Sequence, residues 1–138
     1  MRTYISFSLS LRKAILLWML TVFITLFANA QSCSNDIITA MKSGDAKRLS
    51  SFFDKQIELT LPDKTYSSCK KDAKITIQKF FAQVDPINFV NVKHGCSASN
   101  NTKFEIGNMT TSNGVYKVYM LFVKKNNSYV INELRFEK

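Results

Sequence analysis

Residues 70–84 read KKDAKITIQKFFAQV, and this stretch decides how the chain folds. Its large apolar residues are spaced i, i+3, i+4 and i+7, which places Ile77, Phe80, Phe81 and Val84 on one face of an α-helix. The remaining surface is basic and carries Lys70, Lys71, Lys74 and Lys79. Asp85-Pro86 ends the helix, because the residue before a proline is pushed out of helical geometry. The pattern predicts a long helix with one buried face.

After Pro86 the sequence changes to the turn-punctuated pattern of β-strands. Asn113-Gly114 is a strong signal for a two-residue hairpin, and Asn126-Asn127 marks a further turn. We predict four strands, which cover residues 87–93, 102–111, 115–125 and 128–137. These strands are expected to form an antiparallel meander that curls around the long helix.

Shorter elements precede the long helix. Residues 36–43 have helical spacing, and Asp45 is well placed to cap a second short helix. Residues 57–61 alternate apolar and polar side chains, and Pro62-Asp63 turns the chain so that residues 64–67 return as a hairpin. The order of elements predicts an α+β domain: two short helices, a hairpin, a long helix and a four-strand antiparallel meander forming one curved sheet.

The first thirty residues have the layout of a signal peptide. Basic residues precede an apolar run over residues 14–28, and Ala28-Asn29-Ala30 is a small-x-small cleavage pattern. We expect cleavage after residue 30, so that residues 31–138 form a single domain in the periplasm or outside the cell. A membrane anchor is the rival interpretation, but the run is shorter than the ~20 residues of a spanning helix. Lipidation at Cys33 is a third outcome, because Ser32 is an acceptable small residue before a lipid-modified cysteine.

The composition limits the class of protein and its partners. The chain of 138 residues is 46% hydrophobic, which suits one small globular domain and no separate cofactor domain. Its net charge of +9 falls to +6 when residues 1–30 are removed, since they hold Arg2, Arg12, Lys13 and no acid. A nucleic-acid groove would interleave aromatic residues with arginines, and residues 31–138 hold only Arg48 and Arg135. We therefore expect no nucleic-acid partner, while weak attraction to anionic lipid or acidic glycan stays open.

Several stretches resemble an exported bacterial family, domain of unknown function 4783. They are ITAMKSGDA at 38–46, Phe53 with IELTLP at 57–62, KFF at 79–81, IGNMTTSNG at 106–114 and INELRFEK at 131–138. The resemblance implies a cone-shaped fold of the nuclear transport factor 2-like superfamily, whose members include isomerases, dehydratases and binding or dimerisation modules. It implies no catalytic residue, and fold alone does not choose among these functions. Cys69 and Cys96 depart from the family pattern, which has polar residues at both positions.

The three cysteines are an odd number for an oxidising compartment. The helix over residues 70–84 spans ~22 Å, and the following strand runs back along it for ~30 Å to Cys96. This geometry predicts a Cys69–Cys96 disulfide, with two separate thiols as the alternative. Cys33 is then the remaining thiol, which dimerises, stays free or takes lipid.

Sites for chemistry are sparse. His94 is the single histidine, so a cluster of histidines around a metal is excluded within one chain, and we expect neither metal nor cofactor. A structural or surface role is the simplest interpretation of His94. If Phe104, Ile106, Leu134 and Phe136 face the helices, Glu105 and Glu133 face outward. An enzyme of the isomerase or hydratase type would combine a pocket acid, or His94, with a tyrosine such as Tyr116 or Tyr119.

The strand over residues 115–123 is apolar on both faces, whereas a strand covered on one side alternates. One face carries Tyr116, Val118, Met120 and Phe122, and the other carries Val115, Tyr119, Leu121 and Val123. Either the cone covers both faces or the outer face pairs with a second copy as a homodimer. The leading functional hypothesis is a small exported domain that binds a ligand or an envelope protein without chemistry. The alternatives are the isomerase or hydratase and a charge-driven protein of the envelope surface.

Overall fold

The structure is a computed structural model that describes residue 13, residues 32–97 and residues 99–138. The predicted signal peptide lies outside the described residues except for Lys13, and so does the side chain of Cys33. The chain divides into two units, Met1–Cys33 and Ser34–Lys138. The contacts described below lie within the second unit.

Among the described residues from 32 onward, three helices form where the sequence indicated them. They are α1 (Ser32–Ser43), α2 (Ala46–Ser51) and α3 (Lys70–Val84). Gly44 takes a φ of +63° between the first two helices, a conformation that glycine adopts without strain. Asp45 caps α2 as predicted, because its carboxylate accepts a hydrogen bond of 2.9 Å from the backbone N–H of Arg48.

Six strands form one sheet. They are β1 (Phe53–Leu61), β2 (Lys64–Cys69), β3 (Pro86–Ser97), β4 (Thr102–Thr111), β5 (Gly114–Lys125) and β6 (Ser128–Glu137). Their order across the sheet is β2-β1-β6-β5-β4-β3. The four-strand meander is therefore only part of the sheet, because the hairpin β1–β2 extends it at the β6 edge. The β1–β6 pairing is parallel, with Leu59 opposite Leu134 and both fully buried.

The core lies between α3 and the face of the sheet that packs against it, which we call the inner face. Phe80 packs against Phe136 with ring centroids 5.0 Å apart, and Phe81 meets the same ring edge-on at 6.1 Å. All of the apolar residues that the helical spacing placed on one face of α3 are buried, as predicted. Burial of such aromatic side chains contributes ~2 to 3 kcal/mol each to the free energy of unfolding.

Gly107 makes room for the largest side chain of β3. The Phe89 ring is 1% exposed and lies against Gly107 on the inner face. A Cβ atom at this position would overlap the Cζ and Cε2 atoms of Phe89 and would lie 2.8 Å from the carbonyl oxygen of Val90. The φ of Gly107 is not in the left-handed region, so its backbone conformation does not require glycine. The close approach of the Phe89 ring does require it.

We predict that Gly107→Ala destabilises the fold by about 2 kcal/mol, since the Phe89 ring must leave a filled core. The midpoint of thermal unfolding should fall by roughly 10 °C. The matched control is Asn108→Ala, at the exposed neighbouring position, which should leave the midpoint within about 2 °C. Equal midpoints for the glycine variant and the wild type would contradict this account of the packing.

Candidate functional site

An open groove of about 600 Å³ lies between α3, the β1–β2 turn and the β4–β5 turn. This volume is within the range of small-molecule sites, about 300–1,000 Å³. The lining combines aromatic rings, amides, hydroxyls and one ammonium group, and its central residues are Tyr66, Thr76, Lys79, Phe80, Gln83, Asn113 and Tyr116. All of them belong to the second unit of the chain.

One wall of the groove is α3, which the β4–β5 turn holds in place. Thr76, Lys79 and Gln83 recur at spacings of three and four residues, so they share one helical face. The Nδ2 group of Asn113 donates a hydrogen bond of 3.0 Å to the carbonyl oxygen of Gln83. Ser112 Oγ donates to the carbonyl oxygen of Val84 at 2.9 Å. These two bonds satisfy carbonyls at the helix end and fix the width of the groove there.

Aromatic rings form the remainder of the lining. Tyr116 is 6% exposed and meets Phe80 edge-on, with ring centroids 5.6 Å apart. Tyr66, on β2, also lines the groove. The Nζ atom of Lys64 lies 5.2 Å from the Tyr66 ring centroid, and that of Lys138 lies 6.0 Å from the Tyr116 ring centroid. Both contacts are within reach of cation–π attraction.

The structure does not bring the predicted pocket residues together. Tyr116 lines the groove, whereas Tyr119 lies on the opposite side of the sheet, which we call the outer face. His94 is exposed on the edge strand β3. The sequence placed the two tyrosines on opposite faces of one strand, so a single inner pocket holds only one of them.

Glu105 corrects the expectation that both glutamates face outward. Its side chain lies on the inner face and is buried, and Asn91 Nδ2 donates a hydrogen bond of 2.9 Å to its Oε2 atom. Lys103 Nζ lies 3.7 Å from its Oε1 atom. Glu133 does face outward, where it pairs with Arg135. The reason for the difference is that Phe104 and Ile106 pack on the outer face, beside Tyr119.

The buried acid and the groove tyrosine are far apart. Tyr116 pairs with Met109 of β4, and Glu105 lies four residues before Met109 on the same strand. This spacing corresponds to ~13 Å along the strand. A catalytic acid and a tyrosine hydroxyl that act on one substrate need to be within hydrogen-bond reach of it. Glu105 is instead the cross-strand partner of His94, at the other end of the inner face.

The predicted Cys69–Cys96 disulfide is not formed, and both cysteines are free. Cys69 ends β2 and Cys96 lies near the end of β3, and these strands are the two opposite edges of the sheet. The strand after α3 does run back along the helix. However, the β1–β2 hairpin joins the sheet at β6, so the two cysteines are separated by the full width of the sheet. The Sγ atom of Cys69 instead donates a hydrogen bond to Asp72 at 3.3 Å.

Asp54 ties β1 to the β5–β6 hairpin at the far end of the sheet. Its carboxylate accepts hydrogen bonds from Lys125 Nζ at 2.6 Å and from Asn132 Nδ2 at 3.3 Å. Burial raises the pKa of Asp54, but the hydrogen bonds from Lys125, the Lys55 backbone and Asn132 outweigh it and leave the pKa below its ordinary value of 3.8. Asp54 is therefore a structural carboxylate and stays ionised at neutral pH.

The outer face carries a second cluster of side chains. Phe104 and Tyr119 stack with centroids 6.4 Å apart, and the Arg135 guanidinium lies 5.8 Å from the Tyr119 ring centroid. Arg135 pairs with Glu133 at 2.5 Å, and this hydrogen bond raises the pKa of the guanidinium. Its Nε atom is buried without a hydrogen-bond partner.

The described residues contain neither a group of metal-ligating side chains nor a membrane-spanning helix. In that part of the chain, His, Cys, Asp and Glu form no group of three suited to a metal ion. No described helix has both the length and the apolar character needed to cross a membrane.

Most of the groove was missed by the sequence analysis, which named only Tyr116. The basic pattern of α3 predicts a solvated position for Lys79 and makes no assignment for Thr76 or Gln83. One feature of the sequence points to the face that these three residues share: it carries a hydroxyl and an amide beside a lysine, whereas the first turns of α3 are rich in lysine. Tyr66 and Asn113 were assigned to turns or edges, and only the folded sheet brings them to the same helix.

Comparison with known proteins gives the family. A profile for the domain of unknown function DUF4783 matches residues 34–137. A DUF4783 protein from Bacteroides ovatus is 27% identical with a TM-score of 0.71, and covers 75% of this chain and 92% of its own. One from Bacteroides uniformis is 28% identical with a TM-score of 0.71, and the shares are 75% and 94%.

A more distant structure shares the fold. It is an NTF2-like family protein from Streptomyces avermitilis, which is 13% identical with a TM-score of 0.58 and covers 75% of this chain and 88% of its own. The search of curated proteins finds no match. The profile match and the shared fold show that the chain belongs to the DUF4783 family and adopts the NTF2-like fold.

Proposed function

We propose that this protein is an exported, non-catalytic binding domain that takes a small ligand in the groove between α3 and the two turns. The observation that carries the proposal is the lining: aromatic rings and hydrogen-bonding groups converge on one open cavity of about 600 Å³. A few polar groups placed among apolar ones are typical of small-molecule sites. The groove walls are held by the bonds of Ser112 and Asn113 to α3, so the site is formed before a ligand arrives.

The groove suits binding better than isomerase or hydratase chemistry. Such an enzyme needs an acid or base beside the group that donates or accepts the proton. Among the described lining residues the acid is Asp63, which is exposed at the β1–β2 turn. Glu105, which is buried on the inner face, lies ~13 Å along the strand from the groove tyrosine. Its oxygens are engaged by Asn91 and Lys103.

We predict that Thr76→Trp fills the groove and weakens ligand binding by more than tenfold. The measurement is a fragment screen of monosaccharides, aromatic acids and short fatty acids, read by ¹H–¹⁵N NMR shifts. Fragments bound by the wild type should shift Thr76, Gln83 and Asn113. The matched control is Ile75→Trp, which adds the same ring at an exposed position outside the lining. Shifts confined to other surfaces, or equal binding by the filled variant, would contradict a binding groove.

The outer face supports a second proposal, self-association through the sheet. Val90 and Val115 are 54% and 53% exposed, and they lie on the same face as Tyr119. A two-fold interface brings the same patch from each copy together. A patch that carries both signs of charge can therefore pair its cations with the acids of the second copy. The Arg135–Glu133 pair provides this, because each arginine can face the partner's acid. The unpartnered Nε group of Arg135 gains an acceptor in such a pairing.

We predict a mass of two chains by light scattering at high protein concentration. Val115→Lys should give the mass of one chain, because it places a charge in the apolar patch that a second copy would bury. Ile75→Lys introduces the same charge on the helix, away from the sheet, and should leave the dimer intact. A wild-type mass of one chain across the concentration range would rule out this interface.

Export is the remaining part of the proposal, and it is supported by the basic, apolar and small-residue pattern of residues 1–30. We predict that protein recovered from the source cell has the intact mass of residues 31–138. A chain that starts at Cys33 and carries acyl groups would indicate a lipoprotein instead. A mass that includes residues 1–30 would contradict cleavage.

A further inference from the structure

We infer that the ligand of the groove is a carboxylated saccharide, that is, a sugar ring bearing a uronic-acid type carboxylate. This inference rests on the proposed binding function of the groove and names the ligand class. It is argued from the charge around the groove, from its aromatic rings and from the hydrogen-bonding groups between them.

Among the described residues, the groove lining holds one cation and one acid, and two further ammonium groups beside the lining tyrosines add positive charge at its edge. Lys79 lines the groove directly, while the ammonium groups of Lys64 and Lys138 lie against the two lining tyrosines at 5.2 Å and 6.0 Å from the ring centroids. The acid among the described lining residues is Asp63. Each ammonium group has three donors, and a contact with a ring face leaves donors free. A carboxylate in the groove therefore meets charge-assisted hydrogen bonds from more than one direction.

The rings favour a flat apolar surface on the ligand. Tyr66 and Tyr116 both line the groove. Tyr66 is half-buried and offers the more accessible ring, whereas Tyr116 is 6% exposed and meets Phe80 edge-on. The C–H face of a pyranose ring packs on tyrosine in the same way as other apolar groups pack on aromatic faces. A sugar ring on Tyr66 also stays close to the ammonium group of Lys64, which lies 5.2 Å from the same ring centroid.

The groups between the rings match sugar hydroxyls. Gln83 supplies an amide that both donates and accepts hydrogen bonds. The Thr76 hydroxyl already donates to the carbonyl oxygen of Asp72 at 3.1 Å, and Asn113 Nδ2 donates to that of Gln83, so both side chains offer chiefly their oxygens to a ligand. Sugar hydroxyls donate to such oxygens, whereas the chain of a fatty acid offers them no hydrogen bond. The groove is also open to solvent, which suits an oligosaccharide that continues beyond the site. These features favour an acidic sugar over a lipid with the same charge.

The test uses the purified full chain and three probes: galacturonic acid trimer, its neutral counterpart galactotriose, and decanoate. Binding is followed by ¹H–¹⁵N shifts of Thr76, Gln83 and Asn113, at low and at high salt. We expect the acidic trimer to bind at least tenfold more tightly than the neutral trimer or decanoate. We also expect its affinity to fall several-fold at 500 mM salt, because the ammonium groups are exposed to screening.

Lys79→Met should reduce the affinity for the acidic trimer by about tenfold, which is the loss of one charge-assisted contact. The matched control is Lys71→Met on the same helix, about 12 Å further along its axis, which makes the same change in net charge. It should leave the affinity unchanged.

The outcomes separate this inference from the proposed function. Equal binding of the acidic and neutral trimers in the groove overturns the charge argument and leaves the binding function standing. Tighter binding of decanoate overturns the sugar argument and leaves the binding function standing. Equal losses of affinity in Lys79→Met and Lys71→Met would show that the acidic trimer is attracted by the net charge of the protein alone. That result overturns a defined carboxylate site. Failure of all three probes in a chain whose groove binds other fragments overturns the ligand class.

Discussion

The packing of the aromatic face of α3 on the inner face of the sheet is the constraint on which the rest of the structure depends. Phe80 and Phe81 both meet Phe136, which belongs to the last strand of the chain. The buried face of the helix therefore depends on the last strand of the chain, β6, which pairs with both β5 and β1. Because β1 pairs with β6 in parallel, this strand joins the hairpin to the meander and makes one sheet of six strands.

The groove is a consequence of that packing. The buried face of α3 is fixed on the sheet, so its neighbouring face, with Thr76, Lys79 and Gln83, is held at a set distance from the β1–β2 turn. At the helix end the turn between β4 and β5 provides Ser112 and Asn113, whose hydrogen bonds replace the missing helical ones. The cavity is thus bounded by elements that are distant in sequence, and its polar groups project from a rigid frame.

The two ends of the inner face have different polar chemistry. One end is the groove, with tyrosines and ammonium groups. The other holds Glu105 with Asn91 and Lys103, and this carboxylate is buried among hydrogen-bonding partners. The side chains of β4 alternate between the two faces of the sheet, and the sequence predicts that the more apolar set, with Phe104 and Ile106, faces the helix. The packing of the Phe89 ring on Gly107 selects the other set, because no side chain larger than hydrogen fits there.

The sequence by itself determined the helices, the turns and the strand order along the chain, because these depend on local spacing, capping and turn residues such as Asp45 and Asn113-Gly114. It also contained enough of the family pattern to indicate the fold. Only the tertiary structure decided which face of β4 is inside, which strand neighbours β1, and that Cys69 and Cys96 lie on opposite edges. It alone brought Tyr66, Lys79, Asn113 and Tyr116 around one groove. Strand pairing and face selection are set by contacts between residues far apart in the chain. Local periodicity separates the two faces of a strand, but it does not tell which of them is covered or which strand lies beside it.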